Sequence, residues 1–184
     1  MSEIRAIVVY YSRSGNTKTV AEEIARAIGA DIEEIRDTAK RRGLIGYMRC
    51  GREGMRKMTT VLAAPGRNVS GYDLVIVGGP IWAGSMSSPV RTWLRAHAAE
   101  IHHAAFFLTH GGTARDAVLA EMASASRLRP VAELSVREGE LGKAAAGERI
   151  AAFAASARHA VRSLIDEPLE VVPAAAALSA TRAR

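Results

Sequence analysis

Residues 4 to 17 read IRAIVVYYSRSGNT, an almost unbroken apolar, β-rich run from Ile4 to Tyr11 that breaks into the polar cluster Ser12 to Thr17. A helical pattern begins there: Val20, Ile24, Ala27 and Ile28 recur at helical spacing, and Gly29 follows as a stop. A strand, a tight polar turn and an amphipathic helix are the opening of an α/β unit, and the rest of the chain repeats the alternation. Asp31 to Ile35 predicts a short second strand. Asp73 to Gly79 (DLVIVGG) has the continuous hydrophobicity of a strand covered on both faces, as in the middle of a parallel sheet. Pro89 to His97 predicts a helix with Pro89 in its first turn, and Ala104 to Thr109 (AAFFLT) a fourth strand. Thr113 is the expected N-cap of a helix over 114–125, Val131 to Val136 the fifth strand, and Ala145 to Ile165 the last helix.

The expected fold class is therefore α/β: a doubly wound, five-stranded parallel sheet with helices on both faces. A barrel of eight βα units would need a longer chain. Residues 43–62, with Leu44, Tyr47, Met48, Met55 and Met58, read as a helix interrupted by Gly51 and Gly54 or as an ordered loop, ahead of the turn residues Pro65, Gly66 and Asn68; a core helix is favoured over a segment that covers the site or lines an interface. One domain is expected over residues 1–167. The stretch 168–184 lacks a core pattern and reads as a flexible tail.

At 184 residues and 48% apolar content the chain can bury one ordinary core but not two. No run approaches the length of a membrane span, and residues 1–3 lead straight into strand pattern without a signal-peptide layout, so no membrane partner and a cytoplasmic location are expected. The single cysteine, Cys50, cannot form an internal disulfide, which fits a reducing compartment. A net charge of +6 with no nucleic-acid module suits a negatively charged cofactor or an acidic partner, not a nucleic acid.

In a doubly wound sheet, ligands sit beyond the carboxyl ends of the strands near the switch point, so the loops after the first, third and fourth strands should converge. The first, Ser12-Arg13-Ser14-Gly15-Asn16-Thr17, offers three hydroxyls, an amide, a flexible glycine and the free amides of a helix N-terminus. These donors and the helix dipole match a phosphate monoester dianion. A helix N-cap would need only one of them. Residues 12–17 resemble the phosphate loop of the flavodoxin family, with its Ser/Thr-x-Ser/Thr-Gly-x-Thr pattern directly after the first strand. The second loop, Gly79-Pro80-Ile81-Trp82-Ala83-Gly84-Ser85-Met86, is similar to that family's flavin loop. The resemblance implies that backbone amides of residues 81–84 meet the reactive edge of the isoalloxazine and that Trp82 packs on the ring. Glycine tolerates either sign of φ, so Ala83-Gly84 is where the backbone can adjust during a redox cycle. The third loop, Thr109-His110-Gly111-Gly112-Thr113, occupies the remaining flavin-contacting position, with His110 either structural or in contact with flavin or substrate.

The resemblance covers residues 4–165 and implies non-covalently bound FMN, with no catalytic acid or base and no metal. It implies an oxidoreductase passing electrons from NAD(P)H, a transient donor, to a quinone-like or other small-molecule acceptor, with Arg13, His110 and Arg115 giving the flavin a positive surround. The alternative is an electron-transfer protein docking on redox protein partners, although typical low-potential flavodoxins are acidic and this chain has a calculated pI near 10.0. A homo-oligomer is compatible with either reading. Other motifs are set aside. Cys50-x5-Arg56 has the bare phosphatase spacing but no strand before it. Ser85 stands where a Walker loop requires lysine, and no Gly-x-Gly-x-x-Gly opens a helix.

Overall fold

Every residue of β1 (Ala6–Tyr10) is buried, which requires cover on both faces of the sheet. The computed structural model, which describes residues 3–112 and 115–166, supplies that cover with two separate apolar cores. Along β1 the alternation divides cleanly: Ile7 and Val9 enter one core, Val8 and Tyr10 the other. The first core also receives Val90, Trp93 and Leu94 of α3 (Ser88–His97) and Val118, Leu119 and Met122 of α4 (Arg115–Ser126). The second receives Val20 and Ile24 of α1 (Asn16–Ile28) and Ile150, Phe153, Ala157 and Val161 of α5 (Ala144–Asp166).

The remaining strands are β2 (Asp31–Glu34), β3 (Leu74–Trp82), β4 (Ser85–Met86), β5 (Ala104–His110) and β6 (Pro130–Arg137). The order is β2-β1-β3-β5-β6, all parallel. These are the five strands read from the sequence. The sixth, β4, was not expected: it turns back antiparallel on the end of β3, pairing Trp82 with Ser85 and Ile81 with Met86. Ala83 and Gly84, with φ of 47° and 77°, make the two-residue turn. Positive φ at both central positions is the turn that matches strand twist, and it suits glycine better than alanine. No helix among the described residues is long and apolar enough to cross a membrane.

The two glycines ending the DLVIVGG run have packing roles. A Cβ on Gly78 would stand 2.1 Å from the Phe107 ring, and one on Gly79 would stand 2.5 Å from Val90. Their absence lets β3 lie close to β5's largest side chain and to α3.

The Met-rich segment departs from the sequence reading. It forms α2 (Gly43–Met55), which runs unbroken through Gly51 and ends after Gly54; residues 56–62 are not helical. It is not a core helix. Leu44, Ile45, Tyr47, Met48 and Met55 are exposed, while Gly46, Cys50, Glu53 and Gly54 are buried. The physical reason is close approach. Gly54 abuts the Trp82 backbone, where a Cβ would lie 2.1 Å from the carbonyl oxygen, and Gly46 abuts the Arg41 backbone. Gly46, Cys50 and Gly54 face inward together with the ion-paired Glu53, and the long apolar side chains are left outside. The expected N-cap Thr113 and the 168–184 tail lie outside the described residues.

Candidate functional site

The chain order sends β1 to one neighbour, β2, and later to the other, β3, so the switch point lies between β1 and β3. The loop leaving β1 at that crevice is Ser12 to Gly15, followed by α1. Gly15 holds φ 100°, and no side chain of the cap residue satisfies the α1 amides. Ser12 Oγ accepts the Gly15 amide at 3.1 Å, which curls the loop and leaves the Ser12 hydroxyl proton to donate. Arg13 and Ser14 are exposed, and Ser12 and Asn16 half-buried. The loop therefore presents hydroxyls, a side-chain amide, an arginine and uncapped backbone N–H groups around one helix N-terminus.

Thr17 plays a different part from the other loop residues. It is 2% exposed, and its hydroxyl is bonded to that of Thr109 at 2.7 Å. Thr109 pairs in register with Pro80 on β3. One buried contact thus ties the first loop to the third across the end of β3, and Thr17 acts as a fastener beneath the donors.

The second loop is held rigidly from below. Arg91, almost wholly buried, donates to Ser85 Oγ at 2.7 Å, to the Met86 carbonyl at 3.2 Å and to Glu121 at 2.7 Å. Glu121 in turn accepts from Ser85 Oγ and from the Met86 amide at 3.0 Å. Burial acts to raise the Glu121 carboxyl pKa, but the hydrogen bonds from Ser85, Met86 and Arg91 outweigh it and hold the pKa below its ordinary value. The hairpin is thereby fastened to α3 and α4 while Ala83 and Gly84 at its tip stay exposed. Pro80 and Ile81 are half-buried on the rising strand.

Trp82 requires a correction. Expected to pack on a bound ring, it is 7% exposed and belongs to the core under α2. Its ring meets Tyr11 edge-on at 5.6 Å, and the Arg41 guanidinium lies 5.0 Å above it. Strict alternation along β3 would seat Trp82 with Leu74 and Ile76, yet it joins Val75 and Val77 in the first core, which leaves the turn itself as the loop's exposed part. Burial also drives the Tyr11 hydroxyl pKa well above its usual value, against the lowering influence of Arg41. The exposed aromatic ring beside the first loop is Tyr47 of α2, 63% exposed, with the Arg13 guanidinium 5.3 Å from its centroid. Sequence reasoning assigned Tyr47 to the core because the spacing of α2 alone does not say which face is covered.

In the third loop, Gly111 and Gly112 are exposed, whereas His110 is 9% exposed and its Nδ1 is buried without a hydrogen-bond partner among the described residues. His110 pairs in register with Arg137 of β6. Both contribute to a cleft of about 750 Å³ beside the third loop, whose arginines the sequence reading did not group. Cys50 is buried, and burial pushes its thiol pKa up against the opposing influence of Arg41, which disfavours the thiolate that a nucleophile would need.

Comparison with known proteins follows the same lines. The model of a family described as Flavodoxin matches residues 5–151. No curated protein matches the chain. Among solved structures, a Lactobacillus acidophilus flavoprotein in complex with FMN is 22% identical with a TM-score of 0.63, over 76% of this chain and 97% of that one. A WrbA-like flavodoxin from Agrobacterium tumefaciens is 17% identical with a TM-score of 0.54, over 87% and 98%. Oxidised Flavodoxin 1 from Bacillus cereus is 19% identical with a TM-score of 0.52, over 83% and 96%. At these identities the structures establish a shared fold.

Proposed function

Since this chain belongs to the flavodoxin family, we propose that it binds FMN without a covalent link and passes electrons from NAD(P)H to a quinone-like or other small acceptor in the cytoplasm. The observation that carries the proposal is the first loop: Ser12, Ser14 and Asn16 stand around an α1 N-terminus that no cap side chain satisfies, at the β1/β3 switch point. That donor set fits a phosphate monoester dianion, which gains from both the hydrogen bonds and the helix dipole. Ser12, Ser14, Asn16 and the amides following Gly15 hold the phosphate, with Arg13 adding charge at the rim. The exposed backbone of residues 83–84 and 111–112 offers donors and acceptors to the polar edge of the ring, and Tyr47, not Trp82, supplies the nearby aromatic surface. FMN, when bound, supplies the redox chemistry; the protein supplies position and electrostatics.

Around that ring the cations Arg13 and Arg115 are exposed and His110 lies close by. Positive charge there favours the anionic reduced cofactor and suits two-electron delivery. A second reading, docking on a protein redox partner, draws on the apolar side chains Leu44, Ile45 and Met48 exposed on α2 beside Arg13 and Tyr47.

The test is direct. Titrating the purified chain with FMN should quench flavin fluorescence with saturable binding, and the loaded protein should oxidise NADH or NADPH when a quinone is supplied. Absence of binding would end both readings. Binding without NAD(P)H oxidation by any quinone would leave the electron-carrier reading.

A further inference from the structure

The cleft beside the third loop lies outside the β1/β3 crevice, between the carboxyl ends of β5 and β6. Besides His110 and Gly112 of the third loop, its walls come from three places in the sequence: the start of α4 with Arg115 and Asp116, the end of β6 with Ser135 and Arg137, and Glu140 with Arg149. Three guanidiniums face two carboxylates. Arg149 is paired with Glu140 at 2.9 Å, and Arg115 lies 3.4 Å from Asp116. Arg137 makes no ion pair among the described residues, although its charge helps Arg149 hold the Glu140 carboxyl pKa low. All three arginines are exposed; Arg149 already holds Glu140 with one terminal nitrogen and the Ser135 carbonyl with the other, which fixes its guanidinium at the cleft wall, while among the described residues Arg115 and Arg137 carry no contact to the core.

His110 provides the second, independent sign. It lines the cleft, is more than nine-tenths buried, and keeps an Nδ1 that is out of water and unpartnered among the described residues. Native proteins rarely leave a buried polar nitrogen in that condition unless a ligand or water completes it. The cleft's 750 Å³ lies within the range of small-molecule sites and far exceeds one anion. The planar forks of arginine match phosphate oxygens in pairs, so an arginine cluster of this kind selects phosphate over a simple negative charge.

The geometry points to a second phosphate site, separate from the flavin phosphate loop, in which Arg115, Arg137 and Arg149 grip the 2′-phosphate of NADPH while His110 borders both this cleft and the third loop. The assignment rests on the oxidoreductase reading above for the identity of the donor, and it makes NADPH the preferred nicotinamide. NADH lacks the group that the arginines would hold.

Calorimetric titration of the FMN-loaded full chain with adenosine 2′,5′-bisphosphate, and separately with AMP, tests the site without any turnover. The bisphosphate should bind at least about tenfold more tightly than AMP, each well-formed phosphate-to-arginine pair being of that order. Arg137→Gln changes an exposed residue at a strand end and should fold normally; it should remove most of that difference and leave the affinity for FMN unchanged. Equal affinities for the two nucleotides, or a bisphosphate affinity untouched by Arg137→Gln, would overturn the assignment. So would loss of bisphosphate binding in Ser12→Ala, which would place that ligand in the flavin phosphate loop. If the bisphosphate binds as stated but NADPH is never oxidised, the phosphate site stands and the oxidoreductase reading falls.

Discussion

Helices α1 and α2 are each thirteen residues long and pack on opposite faces of the same central strands, yet they are held by opposite kinds of contact. Beneath α1 lie Val20, Ala21, Ile24, Ala25 and Ile28, an ordinary apolar stripe. Beneath α2 lie Gly46, Cys50, Glu53 and Gly54. Glu53 meets the Arg41 guanidinium at 2.7 Å and accepts from the Ser88 hydroxyl; Arg41 also binds Asp37 and donates to Thr60 and Ser88. One helix is fixed by area removed from water, the other by backbone contact and a buried charge network. The difference bears on the proposed function because α1 carries the N-terminus proposed to hold the phosphate while α2 carries the exposed aromatic and apolar surface beside it.

Removing Arg41 should break the comparison most severely. Arg41→Met leaves Asp37 buried without its cation and Glu53 with only the exposed Arg49 at 3.7 Å, and stranding a buried charge costs about 3–5 kcal/mol. Denaturant unfolding should register that loss. A loss below about 1 kcal/mol would mean that the network is incidental and that glycine packing alone seats α2. On the other helix, Ile24→Ala removes a fully buried side chain from the second core and should cost about 2–5 kcal/mol. Its effect should be as large at low pH as at neutral pH, since no charge is involved.

The hairpin gives a smaller effect and a pH signature of its own. Glu121 has its carboxyl pKa held below the ordinary 4.5 in the folded protein. A depressed folded pKa contributes stability that is present in full above the unfolded value and lost as pH falls through the folded one. Stability of the native chain should therefore decline as pH drops below about 4.5, and Glu121→Gln should flatten that decline while lowering stability at neutral pH. An unchanged slope would show that Arg91 and the hairpin do not depend on this carboxylate.

These contrasts explain which parts of the molecule could be read in the sequence. The central strands β1, β3 and β5 were legible because burial on both faces leaves continuous apolar runs, as in Val75 to Val77 and Ala104 to Leu108, whereas the edge strands β2 and β6 are partly exposed and were read from their place between helix and turn signals. The position of the first loop was legible because the apolar run ends at Tyr11 and helical spacing begins just after Gly15. The face of α2 was not. Its exposed Leu44, Ile45 and Met48 look like a core stripe until Gly46 and Gly54 are seen to need the close approach. Trp82 was misplaced because it departs from the alternation of β3, joining Val75 and Val77 in the first core where strict parity would seat it with Leu74 and Ile76. The arginines of the β5/β6 cleft escaped grouping because Arg115, Arg137 and Arg149 are far apart in sequence and meet only when parallel strands are laid side by side.

Substitutions on the outer face of α2 should have the least effect on folding and therefore isolate what that face is for. Tyr47→Ala and Met48→Lys alter residues 63% and 66% exposed, and each should change stability by no more than about 0.5 kcal/mol. Their effects on ligands should diverge. Tyr47 stands against Arg13 of the first loop, so its loss should weaken FMN binding by a few-fold, the scale of an aromatic or cation–π contact worth about 0.5–1 kcal/mol. Met48 has no such neighbour, and Met48→Lys should leave FMN affinity and NAD(P)H oxidation as they were. If Met48→Lys instead slows electron delivery to a protein acceptor while small quinones are reduced normally, the apolar face of α2 is a docking surface. If Tyr47→Ala leaves FMN affinity untouched, the aromatic surface of the site lies elsewhere than on α2.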